Sequence, residues 1–162
     1  MYNRGRFQRV VVIASLLLSV TLLQACGGGG AATRPDTVLQ VDLVASGDVN
    51  SGDGKQGRPV VVRLYELKSA GSFSSADFFS LYEHEAQTLG PDMLGREEVS
   101  LAPGQRHRVD KVVTPETAYM GVIAAFRDID GSKWRDVSRL RPDRVNKFKV
   151  TAAGNHISVA AN

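Results

Sequence analysis

The chain has 162 residues, of which 43% are hydrophobic and 23% are charged, with 20 Lys and Arg against 17 Asp and Glu. It contains one cysteine, Cys26, which excludes an intrachain disulfide, so a folded domain must be stabilised by packing. Three of the basic residues lie in an N-terminal segment that we predict to be cleaved: Arg4, Arg6 and Arg9. The mature chain is then neutral, with 17 basic and 17 acidic residues. Net charge therefore gives no reason to expect nucleic acid or an anionic membrane as a partner.

The N-terminal segment combines a positive start, an apolar stretch and the cysteine. The apolar stretch, residues 10–23, has the length of a signal-peptide core and is shorter than the ~20 residues that span a membrane. It ends in Leu23-Gln24-Ala25-Cys26, which resembles the lipobox of bacterial lipoproteins. We therefore expect residues 1–25 to be a cleaved lipoprotein signal peptide, Cys26 to carry a diacylglycerol and an N-acyl chain, and residues 26–36 to form a flexible tether. An ordinary cleaved signal peptide and a buried structural cysteine are the alternatives.

After residue 36 the sequence changes to short segments of alternating apolar and polar residues separated by turn residues. This pattern is typical of an all-β domain. Eight strands are predicted, within residues 37–46, 59–69, 97–104, 105–113, 118–128, 133–140, 146–152 and 155–161. Turn residues predict that the last six pair as three hairpins, around Pro103-Gly104, Asp130-Gly131 and Ala153-Gly154. We predict a two-sheet β-sandwich over residues 37–162.

Apolar side chains occur on both faces of the second predicted strand. Val60, Val62 and Leu64 share one face, and Val61, Tyr65 and Leu67 share the other. Two aromatic residues flank the Asp130-Gly131 turn, and we expect both to pack in the core: Phe126 and Trp134.

One segment, residues 72–94, breaks the strand pattern. Ser74 or Ser75 could cap a helix that Gly90-Pro91 would end. Its apolar residues are Phe78, Phe79, Leu81 and Tyr82. We predict a small helical insertion packed on the sandwich, with an exposed aromatic patch as the alternative.

No candidate catalytic or metal site passes a geometric test. His84 stands between two glutamates, but adjacent residues on a helix point about 100° apart, and the second histidine of a metalloprotease motif is missing. His107 and His156 are expected at the surface. An acylated Cys26 could not serve as a nucleophile. We predict that the protein is not an enzyme and binds no metal and no cofactor apart from its acyl chains.

The segment GDVNSGDGKQG, residues 47–57, has a composition that suggests an ion-binding loop. Counted from Asp48, an EF-hand requires Gly at its sixth position and Glu at its twelfth, which Asp53 and Pro59 occupy. A P-loop requires Ser or Thr after Gly54-Lys55, and glutamine follows instead. Since the loop is long for a connection between two strands, a binding role and a plain surface loop both remain open.

A basic run near the C-terminus comprises Arg139, Arg141, Arg144, Lys147 and Lys149. It alternates with acidic and apolar residues, which indicates the outer face of strands and not a nucleic-acid-binding surface.

Several of these segments together resemble a known family. The segments are residues 59–94, 100–105 and 121–137, and their most specific parts are Val62-Arg63-Leu64-Tyr65, Ala76-Asp77-Phe78, Leu89-Gly90, Phe126-Arg127-Asp128 and Trp134-Arg135. In this order, and together with the lipobox, they are similar to the TssJ family (also called SciN or VasD), the outer-membrane lipoprotein of the type VI secretion system.

The resemblance implies a transthyretin-like β-sandwich with a small helical insertion. It also implies a scaffold function, which is to fasten the secretion machine to the outer membrane by binding the periplasmic C-terminal domain of TssM in a TssJ-TssL-TssM complex. In the family this contact is assigned to the loop between the first two strands, here residues 46–58. The implied contact residues are Gly47, Asp48, Val49, Asn50, Ser51, Gly52, Asp53, Gly54, Lys55 and Gln56. The alternative function is a free-standing, lipid-anchored periplasmic binding module for a glycan or small ligand.

Overall fold

Two four-stranded sheets pack face to face in the structure, a computed structural model that describes residues 34–52 and 56–162. The eight strands are β1 (Thr37–Ala45), β2 (Val60–Leu67), β3 (Met93–Leu101), β4 (Arg106–Val113), β5 (Tyr119–Ala125), β6 (Arg135–Arg139), β7 (Val145–Ala153) and β8 (His156–Ala161). The first sheet has the strand order β4-β1-β7-β8, and the second has the order β3-β2-β5-β6. The predicted all-β sandwich is confirmed. Among the described residues, helices that could cross a membrane are absent, since none is both long and apolar enough.

Strand pairing confirms two of the three predicted hairpins. β5 pairs with β6 and β7 pairs with β8, both antiparallel. The predicted hairpin around Pro103-Gly104 is wrong, because β3 pairs with β2 while β4 pairs with β1. The turn therefore carries the chain from one sheet to the other. β1 also pairs in parallel with β7, so that Val41 lies beside Val109 on one side and Phe148 on the other.

The main core lies between the two sheets. β1 is buried at every second residue, with Leu39, Val41 and Leu43 at most 2% exposed, as expected for a strand with one face on the core. The second sheet contributes one of the two predicted faces of β2, with Val60, Val62 and Leu64. Phe126, just after β5, is 4% exposed in the same core.

A second core lies on the outer face of the second sheet. The opposite face of β2 supplies Tyr65 and Leu67, both fully buried, and the segment between β2 and β3 covers them. This insertion forms three short helices, α1 (Gly71–Ser75), α2 (Phe78–Glu83) and α3 (Glu85–Leu89), and a 3-10 turn (Gly90–Asp92). Its buried residues are Phe73, Phe78, Leu81 and Leu89.

The helical insertion differs from its prediction in three respects. Met93 and Leu94 belong to β3, so the insertion ends at Asp92. The capping residue is Asp77 and not a serine, because its Oδ1 accepts a hydrogen bond of 2.9 Å from the backbone N–H of Ser80. The extended backbone of Asp77 separates α1 from α2, which explains why one predicted helix becomes several.

Two arginines from the second sheet fasten the insertion. The guanidinium of Arg63 lies 4.0 Å from the ring centroid of Tyr82 and donates a 2.6 Å hydrogen bond to the backbone carbonyl of that residue. Arg135 donates to the carbonyl of Ala76 at 2.5 Å. Beside it, the partly buried Trp134 packs against both cores.

Candidate partner-binding loop

The β1–β2 loop, residues 46–59, lies at one end of the sandwich together with three other connections. The backbone N–H of Gly104, in the β3–β4 turn, donates to the carbonyl of Ser46 at 3.2 Å. The N–H of Asn50 donates to the carbonyl of Gly154, in the β7–β8 turn, at 2.7 Å. Because successive strands alternate in direction, the connections that follow β1, β3, β5 and β7 all meet here.

Buried residues form the stem of this loop. Val49 is fully buried in the main core, and Asn50 is 3% exposed. The Nδ2 of Asn50 donates to the carbonyl of Pro59 at 2.8 Å, and its Oδ1 accepts from the backbone N–H of Arg127 at 2.8 Å. Asn50 has a φ of 56°, a left-handed conformation that asparagine tolerates better than most residues. This side chain therefore ties both ends of the loop to the segment after β5.

The two ends of the loop also contact each other directly. The N–H of Arg58 donates to the carbonyl of Val49 at 2.8 Å. A Cβ atom on Gly57 would overlap the carbonyl oxygen of Gly47, so only glycine allows the two backbones to cross at this distance. The stem is therefore closed by close backbone contacts.

The implied contact residues fall into two groups. Gly47, Asp48 and Gln56 are exposed, and Ser51 and Gly52 are half-buried. Val49 and Asn50 are buried in the stem, where they cannot offer a surface to a partner. Residues 53–55 lie outside the described part of the chain, as does Cys26. The apolar Val49 within a polar loop was the sequence signal that this segment enters the core.

Residues 37–156 match the family described as type VI secretion lipoprotein, VasD, EvfM, TssJ. The chain belongs to this family.

Solved structures agree with this assignment. The type VI secretion lipoprotein TssJ1 from Pseudomonas aeruginosa is 32% identical, with a TM-score of 0.76, over 79% of this chain and 98% of that one. Lip from Serratia marcescens, a membrane-bound component of the type VI secretion system, is 26% identical, with a TM-score of 0.70, over 76% and 96%. A chain in the structure of the TssM C-terminal domain from EAEC is 29% identical, with a TM-score of 0.63, over 76% and 97%. No curated protein sequence is similar enough to count as a match.

The surface of the loop carries a fixed negative charge. The hydroxyl of Ser46 donates a hydrogen bond to the Asp48 carboxylate, which lowers the pKa of that exposed side chain. Because a hydrogen bond to the charged form favours ionisation, Asp48 is ionised at neutral pH. This member of the TssJ family thus presents an oriented carboxylate beside residues 51–56, which form the tip of the loop.

Groups that could perform chemistry are dispersed over the described part of the chain. His84, His107 and His156 are each exposed at the surface, as the sequence predicts. Within residues 34–52 and 56–162, three or more His, Cys, Asp or Glu side chains nowhere cluster in a way that could hold a metal ion.

Proposed function

We propose that this chain anchors the type VI secretion membrane complex to the outer membrane by binding the periplasmic C-terminal domain of TssM. Its family membership supports a place in this secretion system. The similar chain in the structure of the TssM C-terminal domain from EAEC supports TssM as the partner. The observation that carries the proposal is the exposed part of the β1–β2 loop, held on a buried stem.

The direction of β1 supports this use of the loop. The predicted acylation site, Cys26, precedes β1, and the loop follows it. β1 has nine residues. At ~3.3 Å per residue, the strand separates its two ends by roughly 26 Å. The domain would therefore face the lipid with one end and the partner with the other.

The stem also reduces the entropic cost of binding. Ordering a residue's backbone costs about 1–2 kcal/mol, and the hydrogen bonds of Asn50 already fix both ends of the loop. We propose that Gly47, Asp48 and residues 51–56 contact TssM, whereas Val49 and Asn50 act by holding the stem. The role is to hold a partner within a TssJ-TssL-TssM complex and not to catalyse a reaction.

The proposal is tested by changing the tip without changing the stem. Residues 51–56 are replaced by a glycine-serine segment of equal length, and binding to the TssM periplasmic domain is measured by titration calorimetry. We expect the affinity to fall about tenfold or more, equivalent to at least ~1.4 kcal/mol. Phe79→Ser, on the exposed surface of the helical insertion, is the matched control and should bind normally. A folded tip variant with wild-type affinity would move the interface elsewhere.

The membrane anchor is tested separately at Cys26. Two or more acyl chains hold a protein firmly on a membrane, at about 0.8 kcal/mol per buried CH₂, whereas one chain binds only marginally. Cys26→Ser should therefore leave a folded domain that no longer fractionates with the outer membrane. Recovery of that variant in the membrane fraction would contradict the lipid anchor, and recovery of the wild type with the inner membrane would contradict the outer-membrane location.

A further inference from the structure

The end of the sandwich where the chain enters β1, together with the first half of β7, carries a concentrated positive charge. Residues 139–149 contain one acidic residue, Asp143, and five basic residues, all of which are exposed: Arg139, Arg141, Arg144, Lys147 and Lys149. Within the described part of the chain these five basic residues form no ion pair with an acidic side chain. Two acidic side chains lie beside this set: the exposed Asp36 directly precedes β1, and Asp42, the neighbour of Lys149 in the sheet, is paired with Arg108. The neutral charge of the mature chain therefore conceals a local excess.

A buried asparagine holds the basic β6–β7 loop in place. Asn146 is 6% exposed, and its Oδ1 accepts a 2.7 Å hydrogen bond from the backbone N–H of Arg141. Its Nδ2 donates to the carbonyls of Arg141 and Arg144, at 2.9 and 3.1 Å. The backbones that carry both arginines are therefore fixed before any ligand arrives.

Four of the five basic side chains line one surface cavity. The cavity has a volume of about 520 Å³ and is lined by Arg139, Arg141, Arg144 and Lys147, with Val145 and Asn162. Guanidinium groups bind phosphate oxygens through paired, charge-assisted hydrogen bonds. The size and charge of this cavity suit an anionic phosphate-containing group.

The same loop contacts the start of β1. The backbone N–H of Asp143 donates to the Thr37 hydroxyl at 2.9 Å, and the N–H of Val38 donates to the carbonyl of Arg144 at 3.1 Å. Cys26 precedes Thr37 by eleven residues, a separation that spans at most about 40 Å when fully extended. An acyl anchor at Cys26 would thus keep the basic loop within about 40 Å of the leaflet that holds it.

Exposed apolar side chains border the basic loop. Val112 and Val145 are 59% and 51% exposed, and Val38 lies between them as the direct neighbour of both in the sheet. The three side chains form a row across β4, β1 and β7. Apolar side chains beside a basic surface are typical of proteins that rest on a membrane interface.

We propose that this basic patch, Arg139, Arg141, Arg144, Lys147 and Lys149 with the valine row, docks the domain onto anionic phospholipid headgroups of the leaflet that holds the acyl chains. The inference rests on the lipid anchor of the proposed function and adds an orientation to it. With the patch on the membrane, the β1–β2 loop at the opposite end of β1 points away from the lipid and toward the periplasm. Attraction of this kind acts over roughly 8 Å at physiological salt and is strongest for basic residues at the surface itself.

The test uses the full acylated chain in vesicles of phosphatidylcholine, with or without phosphatidylglycerol. An environment-sensitive fluorophore at Val145→Cys reports contact with the membrane, and the same fluorophore at the exposed Asp130→Cys, in the β5–β6 connection, is the control position. Flotation with the vesicles first verifies the acyl anchor, so failure of the anchor is distinguished from failure of docking. We expect a blue shift at Val145→Cys only with phosphatidylglycerol, and its loss at high salt.

Two triple variants make the test specific. Arg141→Gln, Arg144→Gln and Lys147→Gln together should abolish the shift, since each basic residue at an anionic surface strengthens the contact about fivefold. The control variant changes three exposed arginines at the opposite end of the sandwich. The blue shift should be unchanged in this variant, which combines Arg58→Gln, Arg106→Gln and Arg127→Gln.

Three results would overturn the proposal. The first is floated protein that shows no difference between the two kinds of vesicle. The second is a shift that inorganic phosphate produces without phosphatidylglycerol, which would assign the cavity to a free anion. The third is a basic-patch variant that keeps the shift but loses binding to the TssM periplasmic domain, which would make the patch a protein interface.

Discussion

The Oδ1 of Asn50 accepts a hydrogen bond of 2.8 Å from the backbone N–H of Arg127, a residue 77 positions later in the chain. The bond joins the β1–β2 loop, which connects the two sheets, to the segment that follows β5 in the second sheet. The same side chain donates to the carbonyl of Pro59, at the far end of its own loop. One buried amide thus determines where the candidate partner-binding loop begins and ends.

The first prediction concerns this amide. Asn50→Ala should lower the free energy of unfolding by about 2 kcal/mol, because two part-buried backbone groups lose their partner and alanine is strained at this φ. Urea unfolding measures the change, and Ser51→Ala, at a half-buried neighbour, is the control with an expected change near zero. A stable Asn50→Ala protein would show that the stem does not depend on these bonds.

The second prediction compares two glycines of the stem. Gly57→Ala should destabilise the loop and weaken TssM binding, because the new Cβ would overlap the carbonyl oxygen of Gly47 and force the backbones apart. Gly47→Ala should leave the stability nearly unchanged, since a Cβ at that position meets nothing within 4 Å. Thermal unfolding of both variants checks this contrast, and calorimetric titration of Gly57→Ala measures the loss of binding. Equal behaviour of the two variants would contradict the crossing of the backbones.

Local sequence patterns predicted strands well where burial alternates along the strand, as it does in β1 and β7. In β1, Leu39, Val41 and Leu43 are buried while the residues between them are more exposed, so periodicity alone locates the strand and its inner face. The two faces of β2 were likewise assigned correctly, with the second core under the insertion explaining Tyr65 and Leu67.

Pairing between strands was harder to predict, because partners distant in sequence decide it. Pro103-Gly104 provides a good turn signal, yet β3 and β4 bind to β2 and β1 in different sheets. A turn signal in the sequence does not distinguish a hairpin from a connection that crosses between sheets. For the same reason the sequence located the β1–β2 loop but not the bonds from Asn50 to Pro59 and Arg127 that divide it into stem and tip.

The third prediction concerns the aromatic residues of the core. Phe126→Ala should cost about 3–5 kcal/mol, since the ring is 4% exposed between the sheets. Trp134→Ala should cost about 2–4 kcal/mol, because its partly buried ring joins the two cores and meets Phe78 edge-to-face at 5.3 Å. Phe79→Ala is the control, with a ring 58% exposed and an expected change of less than about 0.5 kcal/mol. Chemical unfolding of the three variants gives the ranking of their stabilities. If Trp134→Ala were as stable as the wild type but failed to bind TssM, this ring would belong to the interface instead.

The fourth prediction is a pH dependence at the start of α2. Hydrogen bonds from the hydroxyl and then the backbone N–H of Ser80 lower the pKa of Asp77. Because the folded pKa lies below the ordinary value, the ionised cap stabilises the fold above that value, and this contribution is lost as the pH falls through the folded pKa. The stability difference between wild type and Asp77→Ala should therefore be constant from about pH 7 to about pH 5 and shrink below about pH 4. Urea unfolding across this range measures it, and a difference that does not change with pH would show that the charge on Asp77 is irrelevant.

The fifth prediction concerns the attachment of the helical insertion. The Arg63 side chain is 11% exposed, and it donates to Glu98 at 2.7 Å and to the Tyr82 carbonyl at 2.6 Å while lying 3.3 Å from Glu85. Arg63→Met keeps the apolar part of the side chain but leaves two carboxylates and a carbonyl without this cation. The substitution should lower the free energy of unfolding by about 2–4 kcal/mol.

The loss should be concentrated in the insertion. Hydrogen exchange should increase within residues 71–92 of Arg63→Met, while amides of the β1–β2 loop keep their protection and TssM is bound with wild-type affinity. Arg108→Met is the matched control, because that exposed arginine pairs only with Asp42 and Asp110 on an open sheet face, where ion pairs contribute little. If Arg63→Met retained the exchange pattern of the wild type, aromatic packing would be sufficient to hold the insertion. If it lost TssM binding while the loop stayed protected, the insertion itself would belong to the interface.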